Sequence, residues 1–200
     1  MSYEYDVALS FAGEDREFVE DCAEILRSLN INVFYDNYEK EVLLGKNLYS
    51  YLADVYQNRA RFAAVFVSES YKKGRWTNHE IEYITARKFT QYEEYLLPVK
   101  LDETELNEIP LTTGYLQGKS PVEVAITIAK KINSKLDVDL MLSELKYYLP
   151  DYEIDIIGSE VSFKCEQEDF YAEYPIGLMM ELYRQDLIER AFVLPAIVPN

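Results

Sequence analysis

The sequence predicts an α/β fold with a parallel sheet of about five strands and helices on both faces. Three observations lead to this prediction. Short apolar runs alternate with segments of helical periodicity through residues 1–136. The connections between them are short, as in the strand–helix–strand units that build parallel sheets. The run Phe62–Val67 is apolar throughout, which is typical of a central parallel strand buried on both faces.

The elements follow one another in a regular order. Tyr5–Phe11 predicts the first strand and Arg16–Leu29 the first helix, which Asp15 is well placed to cap. Further strands are predicted at 31–35, 62–67, 95–100 and, more weakly, 114–116. Further helices are predicted at 47–58, 78–89 and 121–136. Together these elements describe a flavodoxin-like sheet, in which Pro98 suits an edge or a strand end because it lacks a backbone donor.

Residues 137–200 depart from this pattern, and we interpret them as a small acidic α+β extension of unknown family beside a first domain at 1–136. Helices are predicted at 139–148 and 175–192, and two strands at 152–157 and 161–165. Acidic residues outnumber basic ones more strongly here than before residue 137. The change of pattern and the change of charge together place the boundary near residue 136.

Composition argues against several classes of function. A formal net charge of −16 disfavours nucleic acid as the main partner, because phosphate binding requires clustered Lys and Arg. The N-terminus lacks the pattern of a signal peptide and no apolar run reaches membrane-spanning length, so we expect a cytoplasmic protein that does not enter a membrane. One histidine and two cysteines are too few for a typical metal centre, so we expect no metal.

The common nucleotide-binding motifs are also missing. The seven glycines never form G-x-G-x-x-G, and Gly45-Lys46 lacks the spacing and the Ser or Thr of a Walker loop. These absences argue against a dinucleotide-binding dehydrogenase and against a P-loop enzyme.

One carboxylate stands out in the segment that follows the strand at 62–67. Open α/β sheets bind ligands at the carboxyl ends of their strands, so Glu80 is our first candidate for a catalytic residue. Thr77 and Glu80 also form a capping box, with Trp76 and Ile81 as its hydrophobic staple, and this helix-start signal is by itself a sufficient explanation. The two interpretations are compatible, because a carboxylate in a first helical turn stays ionised near the positive end of the helix dipole.

Four segments occur in an order that resembles a known family. They are Tyr5–Gly13, Val33–Asp36, Leu44–Leu48 and Phe66–Tyr71, the last followed by Trp76 and Glu80. They are similar to the first strand and loop, the second strand, the "BB" loop, and the serine and W-x-x-x-E signature of bacterial NAD-consuming Toll/interleukin-1 receptor (TIR) domains. The resemblance covers roughly residues 3–135.

The resemblance implies an NAD⁺ glycohydrolase or cyclase with Glu80 as the catalytic residue. Its products would be nicotinamide and either ADP-ribose or a cyclic ADP-ribose isomer, and NAD⁺ would be a substrate, with no retained cofactor. Nicotinamide leaves a cationic pyridinium as a neutral base, so no general acid is needed and one carboxylate can support the oxocarbenium-like ribose. The resemblance to bacterial effectors also implies a role in antiviral (antiphage) defence signalling.

The resemblance also implies substrate-binding residues, several of which have a purely structural alternative. Phe11, Ala12 and Gly13 would line the loop over the substrate. Arg16 would contact a phosphate, or lie solvated in the first helical turn. Asp36 would border the pocket, or simply form a turn.

Two further residues are implied in the same way. Ser68 would face the site from the end of its strand, or be an ordinary polar strand end. Trp76 would border the nicotinamide pocket, or pack against Ile81.

A non-catalytic adaptor is the competing interpretation, because many TIR domains only assemble with other TIR proteins. The presence of both Trp76 and Glu80 favours the enzyme. Both interpretations predict self-association through the BB loop, by way of Leu43, Leu44, Gly45 and Lys46. A defence-system effector or sensor protein is a further candidate partner.

Overall fold

The computed structural model describes residues 3–37, 39, 44–74, 81–85, 87, 94–110, 112–134, 136–167 and 169–184 of the 200-residue chain. Five parallel strands form its main sheet, in the spatial order β2-β1-β3-β4-β5. They are β1 (Tyr5–Ser10), β2 (Val33–Phe34), β3 (Ala60–Val67), β4 (Leu96–Lys100) and β5 (Leu116–Gln117). The predicted α/β class and the parallel five-stranded sheet are confirmed.

Helices cover both faces of this sheet. In chain order they are α1 (Arg16–Ser28), α2 (Leu48–Asp54), α3 (Glu69–Lys73) and α4 (Pro121–Ile132). The helix predicted at 47–58 is in fact α2 followed by a π-helical turn over Val55–Arg59. Helix α3 was not predicted, because five residues are too few to display a helical period. Residues 81–85 are helical, inside the range predicted at 78–89.

Alternate residues of the central strands enter two different cores. Val7 and Leu9 of β1 pack in the core beneath α1 and α4. Ala8, between them, packs in the core of the opposite face, together with Tyr56 and Ile81. Each strand therefore buries both of its faces, which explains why the run at 62–67 is apolar at every position.

Pro98 lies in β4 at a point where its missing donor breaks no bond to β3. The C=O of Tyr95 accepts from Ala63 N–H at 3.0 Å, and Leu101 N–H donates to Val67 C=O at 2.9 Å. In a parallel strand these groups alternate in direction, so the backbone of Pro98 faces away from β3. Strand β4 lies between β3 and β5, so Pro98 is not in an edge strand, but β5 pairs only with Val99 and Lys100 and its ladder does not reach Pro98.

The residues after 136 form a second, antiparallel sheet flanked by two helices. In chain order the elements are α5 (Val138–Tyr148), β6 (Glu153–Ile157), β7 (Glu160–Cys165), β8 (Phe170–Pro175) and α6 (Ile176–Arg184). The sheet has the order β6-β7-β8. The sequence predicted the first two strands but not β8, and it placed the beginning of the last helix one residue too early.

This second sheet packs against the first part of the chain. Ile154, Phe163 and Met179 belong to the same core cluster as Val19 of α1. At Gly177 the approach is so close that a Cβ would lie 1.3 Å from the backbone oxygen of Ser28. The division into 1–136 and 137–200 stays a prediction, but its two parts share one hydrophobic core.

Among the described residues, no helix is both long enough and apolar enough to cross a membrane.

Candidate active site

The loop between β1 and α1 lies at the carboxyl edge of the sheet. It begins with Phe11, which is partly buried, and Ala12, which is buried. A 3-10 turn over Gly13–Asp15 then leads into α1. Gly13 is exposed, with open space where a Cβ would be. The loop has the ends of β2 and β3 on its two sides, because β1 pairs with both strands.

Arg16 joins this loop to the end of β2. Its Nη1 and Nη2 atoms donate to the two carboxylate oxygens of Asp36, each at 2.8 Å, and Nη1 also donates to Tyr35 Oη at 3.2 Å. The side chains of Arg16 and Asp36 are 38% and 42% exposed. The structure thus brings two predicted site residues together, and they bind each other in the fork geometry typical of arginine and carboxylate.

Two aromatic rings support the same guanidinium group. Phe11 and Tyr35 stack with their centroids 5.6 Å apart and an interplanar angle of 27°. The Arg16 Cζ atom lies 5.1 Å from the Phe11 ring centre and 5.7 Å from that of Tyr35. Tyr35 was missed as a site residue, although its place beside Asp36 at a strand end was a usable signal.

The charges of this cluster stabilise one another. The hydrogen bond to Asp36 raises the pKa of Arg16, against the opposing effect of burial. Burial raises the pKa of Tyr35, although the neighbouring Arg16 guanidinium opposes this. Arg16 is therefore a permanent cation, and Tyr35 Oη keeps its proton at neutral pH.

Ser68 lies on the other side of the loop, directly after β3, and is only 4% exposed. Its hydroxyl donates to Asp15 Oδ2 at 2.6 Å and accepts from the backbone N–H of Tyr71 at 3.0 Å. The second bond makes Ser68 the N-cap of α3. Substrate binding by Ser68 stays a prediction, and its hydroxyl already makes these two intramolecular hydrogen bonds.

Asp15 does not do what the sequence suggested. It stands at the N-cap position of α1, yet its side chain makes no capping hydrogen bond. The carboxylate turns instead towards Ser68. Burial raises the pKa of the Asp15 carboxyl, and the negative charges of Asp102 and Glu14 raise it further. The hydrogen bond from Ser68 acts in the opposite direction but does not cancel this increase.

Asp102 lies beyond Ser68 and holds the first turn of α3. Its Oδ2 accepts from Glu69 N–H and its Oδ1 from Thr104 N–H, each at 2.8 Å. Burial by itself would raise the pKa of Asp102, but these hydrogen bonds outweigh it and the pKa lies below its ordinary value.

The predicted BB-loop residues lie partly within the described chain. Leu44 is 85% exposed, which is unusual for a leucine, and Gly45 has a φ of +78° that favours glycine. Lys46 Nζ lies 4.4 Å from the centre of the Tyr51 ring. Leu43 lies outside the described residues, as do Trp76 and Glu80.

The described residues offer no group of three or more His, Cys, Asp or Glu side chains able to hold a metal ion. Cys22 is buried in the core, and its Sγ lies 3.4 Å from the Pro121 carbonyl oxygen to which it donates. Burial raises the pKa of this thiol, so it is not poised as a nucleophile.

A cavity of about 360 Å³ lies away from this edge, between β4, β5 and α4. It is lined mainly by apolar side chains and includes none of the predicted site residues. The polar cluster around residues 11–16 therefore remains the candidate site.

The described residues form a flavodoxin-like α/β domain with a cluster of polar side chains at the carboxyl edge of its parallel sheet. A family model described as "TIR domain" matches residues 7–127, which include the whole β1–α1 loop and the ends of β2 and β3. The chain belongs to the TIR domain family.

Several relatives are named as cyclic ADP-D-ribose synthases or as NAD(+) hydrolases. AaTIR, a 3' cyclic ADP-D-ribose synthase of Aquimarina amphilecti, is 50% identical over 133 residues, covering 66% of this chain and 41% of the relative. AbTIR, a 2' cyclic ADP-D-ribose synthase of Acinetobacter baumannii, is 34% identical over 97 residues, or 48% and 35% of the two chains. The NAD(+) hydrolase TcpC of Escherichia coli is 25% identical over 135 residues, or 66% and 42%. The matches thus span less than half the length of each relative.

Proposed function

We propose that this TIR domain cleaves the bond between nicotinamide and ribose in NAD⁺, with Glu80 as the catalytic residue. The observation that carries the proposal is the 50% identity, over 133 residues, to a 3' cyclic ADP-D-ribose synthase. Relatives of lower identity are named either as cyclic ADP-ribose synthases or as NAD(+) hydrolases, and all of these activities begin with the same bond cleavage.

The chemistry requires little more than one well-placed carboxylate. Nicotinamide departs with the bonding electron pair as a neutral base, and positive charge develops on the ribose. A carboxylate that hydrogen-bonds the ribose hydroxyls and opposes this charge lowers the barrier. Glu80 supplies that group in the proposal.

In the proposal, the residues at the carboxyl edge of the sheet form the rest of the substrate-binding site. Phe11 offers a half-buried aromatic surface, and Arg16 offers a fixed positive charge for an anionic dinucleotide. Asp36 limits how much of that charge is available, because it already accepts two bonds from the guanidinium. We propose that the substrate meets the Arg16–Asp36 pair as one unit at the rim of its pocket.

We favour cyclisation as the fate of the ADP-ribosyl cation that this cleavage leaves, with the 3' isomer as product. The relative with 50% identity carries that product in its name, while the 2' isomer is named for relatives of 37% identity and below. In this step a ribose hydroxyl of the same ADP-ribosyl group replaces water as the nucleophile: its oxygen bonds to the oxocarbenium carbon, and its proton passes to solvent. Chromatography of the products against 2' and 3' standards decides between hydrolysis and the two isomers.

The catalytic proposal is tested by nicotinamide release from NAD⁺. The variants are Glu80→Gln and Glu80→Ala, and Glu82→Gln is the matched control because it makes the same change at an exposed glutamate close by in the sequence. We expect release by the wild type and by Glu82→Gln only. Equal release from every folded variant would exclude Glu80 from the reaction.

We further propose that activity requires self-association through the BB loop and serves antiviral defence. The support for self-association is Leu44, a large apolar side chain presented to solvent beside a glycine turn. The assay is therefore run in dilute solution and with the protein crowded on beads. Absence of release in both forms would favour the adaptor function instead.

A further inference from the structure

The β1–α1 loop is fastened at both of its ends to the same short helix. At its start, Ser10 Oγ and Tyr71 Oη lie 2.7 Å apart in a buried hydrogen bond. At its end, Asp15 Oδ2 accepts from Ser68 Oγ at 2.6 Å. Ser68 and Tyr71 cap and anchor α3, so residues 11–14 are bracketed by two contacts to one element.

The Asp15 contact replaces a more ordinary use of the same side chain. An aspartate at a helix N-cap normally accepts from the first-turn amides, which stabilises a protein by about 1 kcal/mol. Asp15 stands at that position and makes no such bond. Its carboxylate is directed instead at a residue that follows a different strand, and the short distance to Ser68 is typical of a charge-assisted hydrogen bond.

Asp15 connects the β1–α1 loop to the N-cap of α3 through the one hydrogen bond that the Ser68 hydroxyl can donate. A serine hydroxyl has one donor and two acceptor positions. The Ser68 hydroxyl donates its one hydrogen bond to Asp15, and one of its lone pairs accepts from the N–H of Tyr71. Without Asp15 the Ser68 hydroxyl could still accept from Tyr71 N–H. Among the hydrogen bonds described, however, none would then join the loop to Ser68. Asp15 therefore links the loop to the cap.

The opposite side of the loop is held independently. Phe11 stacks on Tyr35, and Arg16 forms its two bonds to Asp36. The loop is thus held to the end of β2 on one side and to α3, just after β3, on the other. A loop held on two sides keeps one geometry before a ligand binds. Binding then loses less conformational freedom, which is the physical advantage of a preorganised site.

We propose that Asp15 is a positioning residue of this site, which acts through Ser68 to hold the substrate-facing loop at 11–14 against α3. The inference rests on the proposed cleavage of NAD⁺, and Asp15 itself makes no contact with substrate.

The test compares two changes of Asp15 that differ in one property. Asp15→Asn keeps an oxygen that can accept the Ser68 proton, whereas Asp15→Ala removes it. Glu17→Ala is the control, since it removes the same charge from a neighbouring exposed residue. In folded protein we expect Asp15→Ala to lower kcat/KM roughly ten- to a hundredfold, in line with the cost of small misplacements, and Asp15→Asn and Glu17→Ala to stay close to wild type.

A double-mutant cycle separates positioning from general damage. If Asp15 acts through Ser68, then Asp15→Ala combined with Ser68→Ala lowers kcat/KM no further than the more harmful single change. Full additivity of the two losses would overturn the proposal. So would equal damage by Asp15→Asn and Asp15→Ala, because the charge and not the hydrogen bond would then matter.

Hydrogen exchange of the loop amides gives a readout that does not depend on catalysis. We expect peptides spanning residues 11–14 to exchange faster in Asp15→Ala but not in Asp15→Asn or Glu17→Ala. An inactive wild type with this exchange pattern would refute the proposed function and leave the positioning link standing. Unchanged exchange in Asp15→Ala would refute the link itself.

Discussion

Arg16 and Asp36 form a bidentate ion pair that joins the first turn of α1 to the end of β2. Both N–O distances are 2.8 Å, and the guanidinium lies against Phe11 and Tyr35. The family resemblance implies separate roles for these residues, with Arg16 at a phosphate or solvated and Asp36 at the pocket rim or in a turn. Their mutual bond makes them one element of the site, whose shape and charge depend on both.

Arg16→Lys should reduce activity much more than stability. A lysine cannot reproduce the two-pronged bond or the stacking on both rings, so we expect kcat/KM for NAD⁺ to fall roughly tenfold, or about 1.4 kcal/mol. The pair is about two-fifths exposed, and the free energy of unfolding should change by only about 0–1 kcal/mol. Urea unfolding and initial rates measure the two effects.

Arg59→Lys is the matched control for that substitution. Arg59 also makes a two-pronged pair, with Glu4 at 2.6 and 2.5 Å, and it lies over the rings of Tyr5 and Tyr51. It precedes β3, however, and so lies at the opposite edge of the sheet from the candidate site. A loss of activity in Arg59→Lys as large as that in Arg16→Lys would contradict a specific role for Arg16.

Gly177→Ala should loosen the packing of α6 on α1. The new Cβ would lie 1.3 Å from the carbonyl oxygen of Ser28, so one backbone has to move. We expect a loss of about 1–3 kcal/mol in the free energy of unfolding, as for overpacked cores. Gly114→Ala, where a Cβ meets open space, is the control. Equal stability of the two variants would show that α6 can shift without cost.

Asp15 should make the protein less stable as the pH rises through its titration. Burial raises its folded-state pKa, so the folded protein holds a proton at pH values where the unfolded chain, with a pKa of about 3.9, has lost it. The contribution to stability is present below about pH 3.9 and is lost as the pH rises through the folded pKa. Asp15→Asn should remove this part of the slope in urea unfolding measured across acidic pH.

The contribution of Asp102 to stability should depend on pH in the opposite direction. Its pKa is lowered by the hydrogen bonds from Thr104 and Glu69, which outweigh burial. Its contribution is complete above the unfolded value of about 3.9 and is lost as the pH falls through the lower folded pKa. Asp102→Asn should therefore destabilise the protein at neutral pH and flatten its loss of stability in acid. Relative to the wild type, the slope of unfolding free energy against pH should therefore change in opposite directions in Asp15→Asn and Asp102→Asn. Changes of the same sign would contradict this pair of assignments.

Leu44→Ser should weaken self-association without affecting the fold. The side chain is 85% exposed, so its replacement leaves no cavity and the melting temperature should not change. If activity requires assembly through the BB loop, the dependence of NAD⁺ cleavage on protein concentration should weaken. Tyr147→Ser is the control, since Tyr147 is 79% exposed and lies on α5. A similar effect of both changes would show only a general loss of surface hydrophobicity.

The alternation of apolar runs and helical periods was enough to predict the parallel sheet and most of its helices, because burial on two faces leaves a direct mark on composition. Two elements carry no such pattern in the sequence. Helix α3 is five residues long, and strand β8 alternates partly buried with exposed positions, so it carries no buried apolar stripe. Both were missed for that reason.

The candidate site divides in the same way. The sequence by itself determined which residues gather at the carboxyl edge, since the topology of a parallel sheet brings every strand end to one side. It also determined the family, through the order of its motifs. Only the tertiary structure decided the partners: Arg16 bonds Asp36, and Asp15 bonds Ser68 instead of capping its own helix. The physical reason is that a hydrogen bond depends on distances of a few tenths of an ångström between strands far apart in the chain, and no local pattern encodes them.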